Sequence, residues 1–526
     1  MRDYQQPGRS TVFSTNGMCA TSHPLAAKVA LQMLEAGGNA VDAAIAGAVL
    51  LGLCEPQMTG IGGDCFVLLN KPGEADVIAL NGSGRGPKGL SAAKMREKKL
   101  TSVPLDTPDA VTIPGAVDAF CRLSKDHGKL GLKALLAPSI YYAQAGVPVS
   151  PRTSFDWAIA AATPKGAARG YYLFDGKSPK PGQLFHAPRQ AEVLKRIAES
   201  GRAGFYEGEI AQDMVSSLRA AGGCHTLEDF ADTSCEYAAP VSGFYKETEL
   251  VEHPPNGQGA TAILMNNILS HFDLPSMEPF GATRAHIEAE AAKLAYDARN
   301  RFLADAEYAT RVEHMLAPET AQQLAALIDP AKAMDSPSKL SEQVHKDTIY
   351  ITVVDKDLMS VSLIYSIFSS FGSGIASDKF GILFQNRGSG FTLEEGHPNE
   401  AAGGKRPMHT IIPGMLRQGG EVVMPFGVMG GAYQPNGHAR FVTNLVDFDM
   451  HPQAAIDAPR CFSYEGVMKL ERGYSDDVRQ DLSDLGHNVV VPDGPIGGAQ
   501  AIFIDRKNGV LHGASDARKD GCALGY

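Results

Sequence analysis

The chain has 526 residues, 44% of them apolar and 20% charged, which is enough to bury one large layered core or two smaller ones. Its 48 basic and 59 acidic side chains give a net charge of −11, which argues against a nucleic-acid or anionic-membrane partner. The eight cysteines lack C-x-x-C or zinc-ligand spacing, and neither a signal peptide nor an apolar run of about 18 residues is evident, so we expect a cytoplasmic protein with reduced thiols.

The N-terminal part predicts helices, glycine loops and strands in alternation. After Ser22 the spacing of apolar residues is helical as far as Gly37 and Gly38, and an almost wholly apolar helix begins near Ala40. Such a helix has no polar face and must be buried. The stretches "TGIGGDCFVLLN" and "ADVIALNGSGRGP" then predict a pair of strands, each adjoining a glycine-rich loop.

From about residue 109 to 329 the pattern is mostly helical, and residues 331–347 indicate an exposed connector. Beyond the connector, "TIYITVVD" and "MSVSLIYS" alternate as strands, and "HTIIPGML", "EVVMPFGV" and "AIFIDRK" also look extended. A helix-rich first part and a strand-rich second part together predict a mixed α and β fold. The candidate helices between 109 and 329 are 116–127, 132–144, 190–200, 209–221 and 286–303.

Common catalytic and cofactor motifs are missing from the sequence. There is no G-x-S-x-G, no H-E-x-x-H and no phosphate-binding G-x-x-x-x-G-K-[ST], and the glycines at 60–63 precede a strand instead of following one. We therefore expect no nucleotide, no other cofactor and no metal. Thr348 stands at the head of a strand, where a β-branched residue is ordinarily structural.

Several spaced segments nevertheless resemble, in order, the γ-glutamyltransferase family of N-terminal nucleophile hydrolases. They include "GGNAVDAAIAGAVLLGLCEPQMTGIGGDCFVLL", "PPNGQGATAILMNNIL", "DTIYITVVDKD", "GKRPMHTIIP", "GVMGGAYQPNGH" and "GASDARKDGCALGY". The resemblance implies an α+β fold, the four-layer αββα sandwich, made of two chains from one self-cleaved precursor. The expected chains are residues 1–347 and 348–526, intertwined in one domain.

The resemblance also assigns roles. Thr348 would attack the carbonyl of Asp347, cut the chain there and become the nucleophile, and its freed α-amino group, with a pKa of about 7.7 to 8.0, would be the base. Ser366 matches a hydroxyl that contacts the nucleophile. Gly430 and Gly431 match the loop whose backbone N–H groups stabilise the oxyanion. By residue type alone, purely structural roles would be favoured for a strand serine and for a tight glycine turn.

Substrate-binding positions both match and depart from the family pattern. Arg85 matches the arginine that grips the substrate carboxylate, for which a planar guanidinium is suited. Where glutamate-specific members carry asparagine, glutamine and aspartate around the α-ammonium, this chain has Phe368, Arg387 and Gly390. A paired serine motif is replaced by His409 and Thr410, and His409 is either a substrate donor or a hydrogen-bonded structural residue.

A kept carboxylate ligand and a lost ammonium site favour a small amide that bears a carboxylate and no amino group. Oxamate has these properties, and we expect its hydrolysis to oxalate and ammonia, in nitrogen salvage from purine rings. Two alternatives stay open: a γ-glutamyl transferase or hydrolase or a glutaryl-amide (cephalosporin-type) acylase, and an uncleaved relative that only binds a ligand. The expected partners are a small amide and the two chains with each other, with a homodimer of these heterodimers left open.

Overall fold

The computed structural model describes residue 5, residues 8–335 and residues 348–526. The strands are β1 Val12–Ser14, β2 Met18–Thr21, β3 Asp64–Asn70, β4 Val77–Gly82, β5 Val147–Pro148, β6 Leu184–Phe185, β7 Glu236–Ala238, β8 Val241–Tyr245, β9 Thr248–Glu252, β10 Ile349–Val354, β11 Ser360–Ser366, β12 Gly414–Gln418, β13 Glu421–Met429, β14 Cys461–Tyr464, β15 Val467–Leu470, β16 Val489–Val490, β17 Gly498–Asp505, β18 Val510–Ser515 and β19 Cys522–Gly525.

The α-helices are α1 Pro24–Glu35, α2 Ala40–Cys54, α3 Ala92–Glu97, α4 Ala116–His127, α5 Leu132–Ala145, α6 Pro151–Ile159, α7 Ala167–Tyr172, α8 Pro188–Ser200, α9 Ala203–Tyr206, α10 Gly208–Ala220, α11 Leu227–Ala231, α12 Gly259–Leu269, α13 Ala282–Phe302, α14 Val312–Leu316, α15 Pro318–Ala325, α16 Gln434–Val446, α17 Pro452–Asp457 and α18 Asp476–Asp484. Single 3₁₀ turns lie at Pro108–Ala110, Leu274–Ser276, Arg387–Gly390 and Gly431–Tyr433.

Two seven-stranded antiparallel sheets form the centre of the molecule. The first sheet has the order β19-β2-β10-β11-β3-β4-β7, and the second has the order β1-β18-β17-β13-β12-β9-β8. In the first sheet β10 and β11, which follow residue 347, lie between β2 and β3, which precede it. Neither part of the chain therefore builds a complete sheet by itself.

Helices cover the outer face of each sheet, so the molecule has four layers in the order αββα. One large apolar cluster joins the first sheet to α1, α2, α4, α5 and α8, and another joins the second sheet to α12, α13 and α16. Between the sheets, side chains of both meet, as where Phe66, Tyr350 and Ile364 of the first sheet pack with Met429 of the second. The expected α+β sandwich is confirmed.

Local predictions agree with the structure where the periodicity is strong. The apolar helix predicted from Ala40 is α2, and each of its residues is buried. All five predicted helices between 109 and 329 are present, with ends within a few residues of those expected. Within "HTIIPGML", which was expected to be extended, strand β12 begins at Gly414.

Each of the two parts of the chain also contains elements of the other kind. The hairpin β8–β9 belongs to the part expected to be helical, and α16 to the part expected to be extended. Both β8 and α16 pack against α12. Every cysteine has a free thiol. Among the described helices, none combines the length and the hydropathy needed to span a membrane.

Candidate active site

Thr348 is held at the edge of a strand pair by backbone register. It immediately precedes β10, and because Ile349 pairs with Tyr365, Thr348 lies beside Ser366 at the end of β11. Thr348 Oγ1 lies 3.2 Å from Ser366 Oγ, within hydrogen-bond distance, and only 1% of the threonine is exposed. The expected cleavage partner, Asp347, lies outside the described residues.

The hydroxyl of Ser366 has a defined set of partners. The peptide N–H of Phe368 donates to Ser366 Oγ at 2.9 Å, and Arg387 Nη2 donates to it at 3.3 Å. A serine hydroxyl has two lone pairs and one proton. Thr348 Oγ1 donates to the same oxygen at 3.2 Å, so three donors converge on Ser366 Oγ. Ser366 therefore connects the hydroxyl of Thr348 to the Phe368 N–H and to the Arg387 guanidinium.

Arg387 places a buried cation one hydroxyl away from Thr348. Besides Ser366, its guanidinium donates from Nη1 to Thr410 Oγ1 at 2.8 Å, and it lies 4.2 Å from the ring centre of Phe368. Phe368 has a φ of +77°, which a bulky residue rarely adopts, and this turn directs both its N–H and its ring to the site.

The charge of Arg387 has no direct counter-ion in the part of the chain that the structure describes, and its Nε has no hydrogen-bond partner there. Burial lowers the pKa of Arg387 to about 9, although the nearby Asp64 carboxylate opposes this shift. A buried guanidinium with an unused donor has the capacity to bind an anion.

Asp64 is a buried carboxylate that the sequence analysis did not single out. Its Oδ1 accepts hydrogen bonds from the backbone N–H groups of Gly84 (2.9 Å) and Gly115 (3.1 Å) and from Gln385 Nε2 (2.8 Å). Burial raises its pKa to about 6, while the charge of Arg387 and these hydrogen bonds act in the opposite direction. An aspartate opening a fully buried strand was the only sequence signal for it.

His409 is a structural partner of Asp64. Its Nδ1 accepts from the N–H of Ile411 at 3.3 Å, so its Nε2 carries the proton and donates to Asp64 Oδ2 at 3.2 Å. Burial, with Arg387 and His253 adding to it, holds the pKa of His409 well below its usual range. The imidazole is neutral and both of its nitrogens are used, which favours the structural alternative over a role as substrate donor.

The glycine loop is connected to the same group of residues through Gln258. Gly430 and Gly431 have φ values of +126° and +57° between β13 and a 3₁₀ turn, and the first N–H groups of a helical turn have no partner within it. Gln258 Nε2 donates to the carbonyls of Gly431 (3.1 Å) and Thr410 (2.6 Å), and Arg299 Nη1 fixes the amide by donating to its Oε1 at 2.9 Å. Gln258 and Arg299 were not predicted, because their partners are distant in sequence.

Arg85 has different partners. Its Nη1 donates to Asp305 Oδ2 and to the carbonyl of Gly404, both at 3.1 Å, and its Nη2 donates to Glu236 Oε1 at 2.9 Å. About a third of the side chain is exposed. Two carboxylates already balance its charge, so its assignment as carboxylate ligand stays a prediction.

The structure thus brings Thr348, Ser366, Arg387 and Thr410 into one contact network. Gly431 joins it through Gln258, and His409 through Asp64, whereas the contacts of Arg85 lead elsewhere. Two hydroxyls, a buried cation and a glycine turn are groups that acyl-transfer chemistry can use.

Several known proteins are similar to this chain over nearly its whole length. The family model described as gamma-glutamyltranspeptidase matches residues 26–526. The chain is 38% identical to the glutathione hydrolase-like YwrD proenzyme of Bacillus subtilis (98% of this chain, 99% of the relative) and 32% identical to the oxamate amidohydrolase proenzyme of Klebsiella pneumoniae (98% and 100%). The crystal structure of cephalosporin acylase from Bacillus halodurans superposes with a TM-score of 0.91 at 35% identity, over 100% of this chain and 99% of that one.

Proposed function

Because the chain belongs to the gamma-glutamyltranspeptidase family, whose members include self-processing N-terminal nucleophile amidohydrolases, we propose that it hydrolyses oxamate to oxalate and ammonia through Thr348. The observation that carries the substrate assignment is the buried guanidinium of Arg387, 3.3 Å from the hydroxyl that contacts Thr348 Oγ1.

Processing comes first in the proposed sequence of events. Thr348 Oγ1 attacks the carbonyl carbon of residue 347, the peptide bond shifts to an ester, and water cleaves that ester. Residues 1–347 and 348–526 become separate chains that stay associated, since β10 and β11 are paired with β2 and β3 on either side. The new α-amino group of Thr348, with a pKa of about 7.7 to 8.0, then accepts the hydroxyl proton near neutral pH.

Hydrolysis of the substrate repeats this chemistry on an external amide. Thr348 Oγ1 adds to the amide carbon of oxamate, and the N–H groups at Gly430 and Gly431 bind the oxyanion. The C–N bond breaks, ammonia leaves with the proton held by the α-amino group, and an oxalyl ester remains on Thr348. Water then attacks the ester, releasing oxalate and restoring the threonine hydroxyl.

The position of Arg387 favours a short acyl group. In oxamate the carboxylate carbon is bonded directly to the reacting carbon, at about 1.5 Å, so a cation that binds it must lie close to the nucleophile. Arg387 meets this requirement because it is separated from Thr348 only by Ser366. The ring of Phe368 and the cation of Arg387 provide nothing that would neutralise an α-ammonium, which disfavours γ-glutamyl donors. Oxamate hydrolysis would place the enzyme in nitrogen salvage from purine rings.

A second candidate is an acylase for a longer amide with a distal carboxylate, such as a glutaryl amide. The superposition on cephalosporin acylase favours it. With a longer acyl chain the carboxylate would lie several bonds from Thr348, and Arg85 would then be a candidate ligand in place of Arg387. The two functions therefore differ in which arginine binds the carboxylate.

The test compares substrates on processed protein, with the two-chain state verified by intact mass. Ammonia released from oxamate and amine released from a γ-glutamyl anilide and a glutaryl anilide are measured at equal concentrations, with Thr348→Ala as the inactive control. We expect oxamate to be the fastest substrate. Faster release from either anilide would reject oxamate as the substrate, and activity in Thr348→Ala would reject the nucleophile.

A further inference from the structure

A second group of buried titratable side chains lies outside the contact network of Thr348. It consists of His286 and Glu290, four residues apart and so on one face of α13, and of His487, which follows α18. One donor atom from each of the three lies within 4.8 Å of the others. The histidines are 201 residues apart in sequence, so no spacing motif could have revealed the group.

The two imidazoles face each other through ring nitrogens. His286 Nδ1 lies 2.7 Å from His487 Nε2, while His286 Nε2 donates to the carbonyl of Asp329 at 2.8 Å. In protein metal sites, a backbone carbonyl commonly fixes a ligating histidine in this way through its other nitrogen. The bond to Asp329 leaves the lone pair of His286 Nδ1 directed at His487.

We propose that His286, Glu290 and His487 bind a divalent transition-metal ion with the preferences of Zn²⁺. Two imidazole nitrogens and a carboxylate oxygen form a ligand set typical of zinc. Tetrahedral coordination sets two ligating nitrogens about 3.3 Å apart, so the rings need to separate by about 0.6 Å. A cavity of about 150 Å³, lined in part by His487 and Asn488, leaves room for a water molecule as fourth ligand.

Lys293 already binds the carboxylate of Glu290, so a variant without its charge can test the proposal. Its Nζ donates to Glu290 Oε1 at 2.7 Å and to the carbonyl of Met334 at 2.8 Å. The ammonium therefore competes with a cation for the same carboxylate, and it must move into the cavity whose wall it already forms.

The site would connect three separate segments. Glu290 Oε2 accepts from the N–H of Met334 at 2.8 Å, and the N–H of Ala333 donates to the carbonyl of Leu485, also at 2.8 Å. Ala333 and Met334, at the end of the described part of residues 1–347, are thereby held against α13 and against the loop of His487. The metal would bridge the two chains, a role that rests on the proposed cleavage before Thr348, whereas the binding itself does not.

The experiment uses chelator-treated, dialysed full-length protein, processed wild type and unprocessed Thr348→Ala alike. Zn²⁺ is titrated in competition with a chromogenic chelator, and urea-induced separation of the chains is followed by size exclusion with and without Zn²⁺. We expect one Zn²⁺ per 526 residues in both proteins, and a higher urea midpoint for separation of the processed chains when Zn²⁺ is present. His487→Gln should weaken binding by roughly a hundredfold and leave oxamate hydrolysis unchanged, whereas His512→Gln, a half-buried histidine outside the group, should change neither.

Lys293→Met keeps the stem of the side chain and removes the competing charge, so it should bind Zn²⁺ more tightly than wild type. The site is overturned if neither wild type nor Lys293→Met binds Zn²⁺ stoichiometrically. It is also overturned if His487→Gln binds Zn²⁺ as tightly as wild type does. Binding by Thr348→Ala together with an unchanged urea midpoint in the processed protein overturns the bridging role alone. Oxamate turnover is independent of all three results, so failure of the catalytic proposal remains distinguishable.

Discussion

Replacing Arg387 by methionine tests the substrate assignment most directly. An unbranched methionine can keep the packing against the Phe368 ring, but it removes the donors to Ser366 and Thr410 and the buried charge. A hydrogen bond to a charged group contributes about 1.5 to 3 kcal/mol, so kcat/KM for oxamate should fall by roughly ten- to a hundredfold or slightly more. The kcat/KM for neutral oxamide, which has no carboxylate, should fall much less. The preference of the variant for oxamate over oxamide should therefore largely disappear.

Stability gives a second readout for this variant. Burial lowers the pKa of Arg387 to about 9, so the folded protein disfavours the charged form of this side chain. Methionine removes this penalty, but Asp64 loses a favourable charge, so the two effects oppose each other. We therefore expect a melting temperature within a few degrees of wild type, alongside the large kinetic loss.

The assay is ammonia release, normalised to the fraction of chains that begin at Thr348. Arg417→Met, at an arginine paired with Glu249 between β9 and β12, is the matched control and should behave as wild type. Arg387→Lys should restore part of the rate, having charge without the planar fork. If Arg387→Met keeps its preference for oxamate while Arg85→Met loses it, Arg85 is the carboxylate ligand and the reasoning from Arg387 is wrong.

Three further predictions concern processing, oxyanion binding and pH. Thr348→Ala should remain a single chain by intact mass, and efficient cleavage of this variant would rule out self-processing by Thr348. Gly431 has a φ of +57°, which costs an alanine about 1 kcal/mol, so the Gly431→Ala precursor should still be cleaved. Its turnover should be roughly a hundredfold slower, and an unchanged rate would remove the oxyanion role. Burial raises the pKa of Glu55 to about 7, so this carboxyl stays protonated in the folded protein where it ionises in the unfolded chain. Its contribution to stability should therefore fall as pH rises from about 4.5 to 7. Glu55→Gln has no carboxyl to ionise, so its free energy of unfolding in urea should exceed that of wild type by up to about 3 kcal/mol at pH 8 and by much less at pH 4. Equal differences in unfolding free energy at both pH values would contradict the buried-carboxyl explanation.

The sequence by itself was sufficient for features that depend on short stretches of chain. An apolar run with helical spacing determines α2, alternation around residues 356–357 determines β10 and β11, and ordered motifs identify the family and the candidate nucleophile Thr348. These signals are local because a helix turn or a strand pleat repeats over only a few residues. Even the position of Ser366 beside Thr348 follows from a hairpin between adjacent strands.

What the tertiary structure decided is which distant groups meet. No pattern in the sequence indicates that Gln258 donates to the carbonyl of Gly431 or that His409 donates to Asp64. Nor does any pattern show that Arg85 pairs with two carboxylates while Arg387 forms no direct ion pair among the described residues. These contacts arise when two sheets close face to face and bring loops from opposite ends of the chain to one place. The partners of a buried charge are set by that packing, since each buried polar group must find its hydrogen bonds among whichever neighbours the fold supplies.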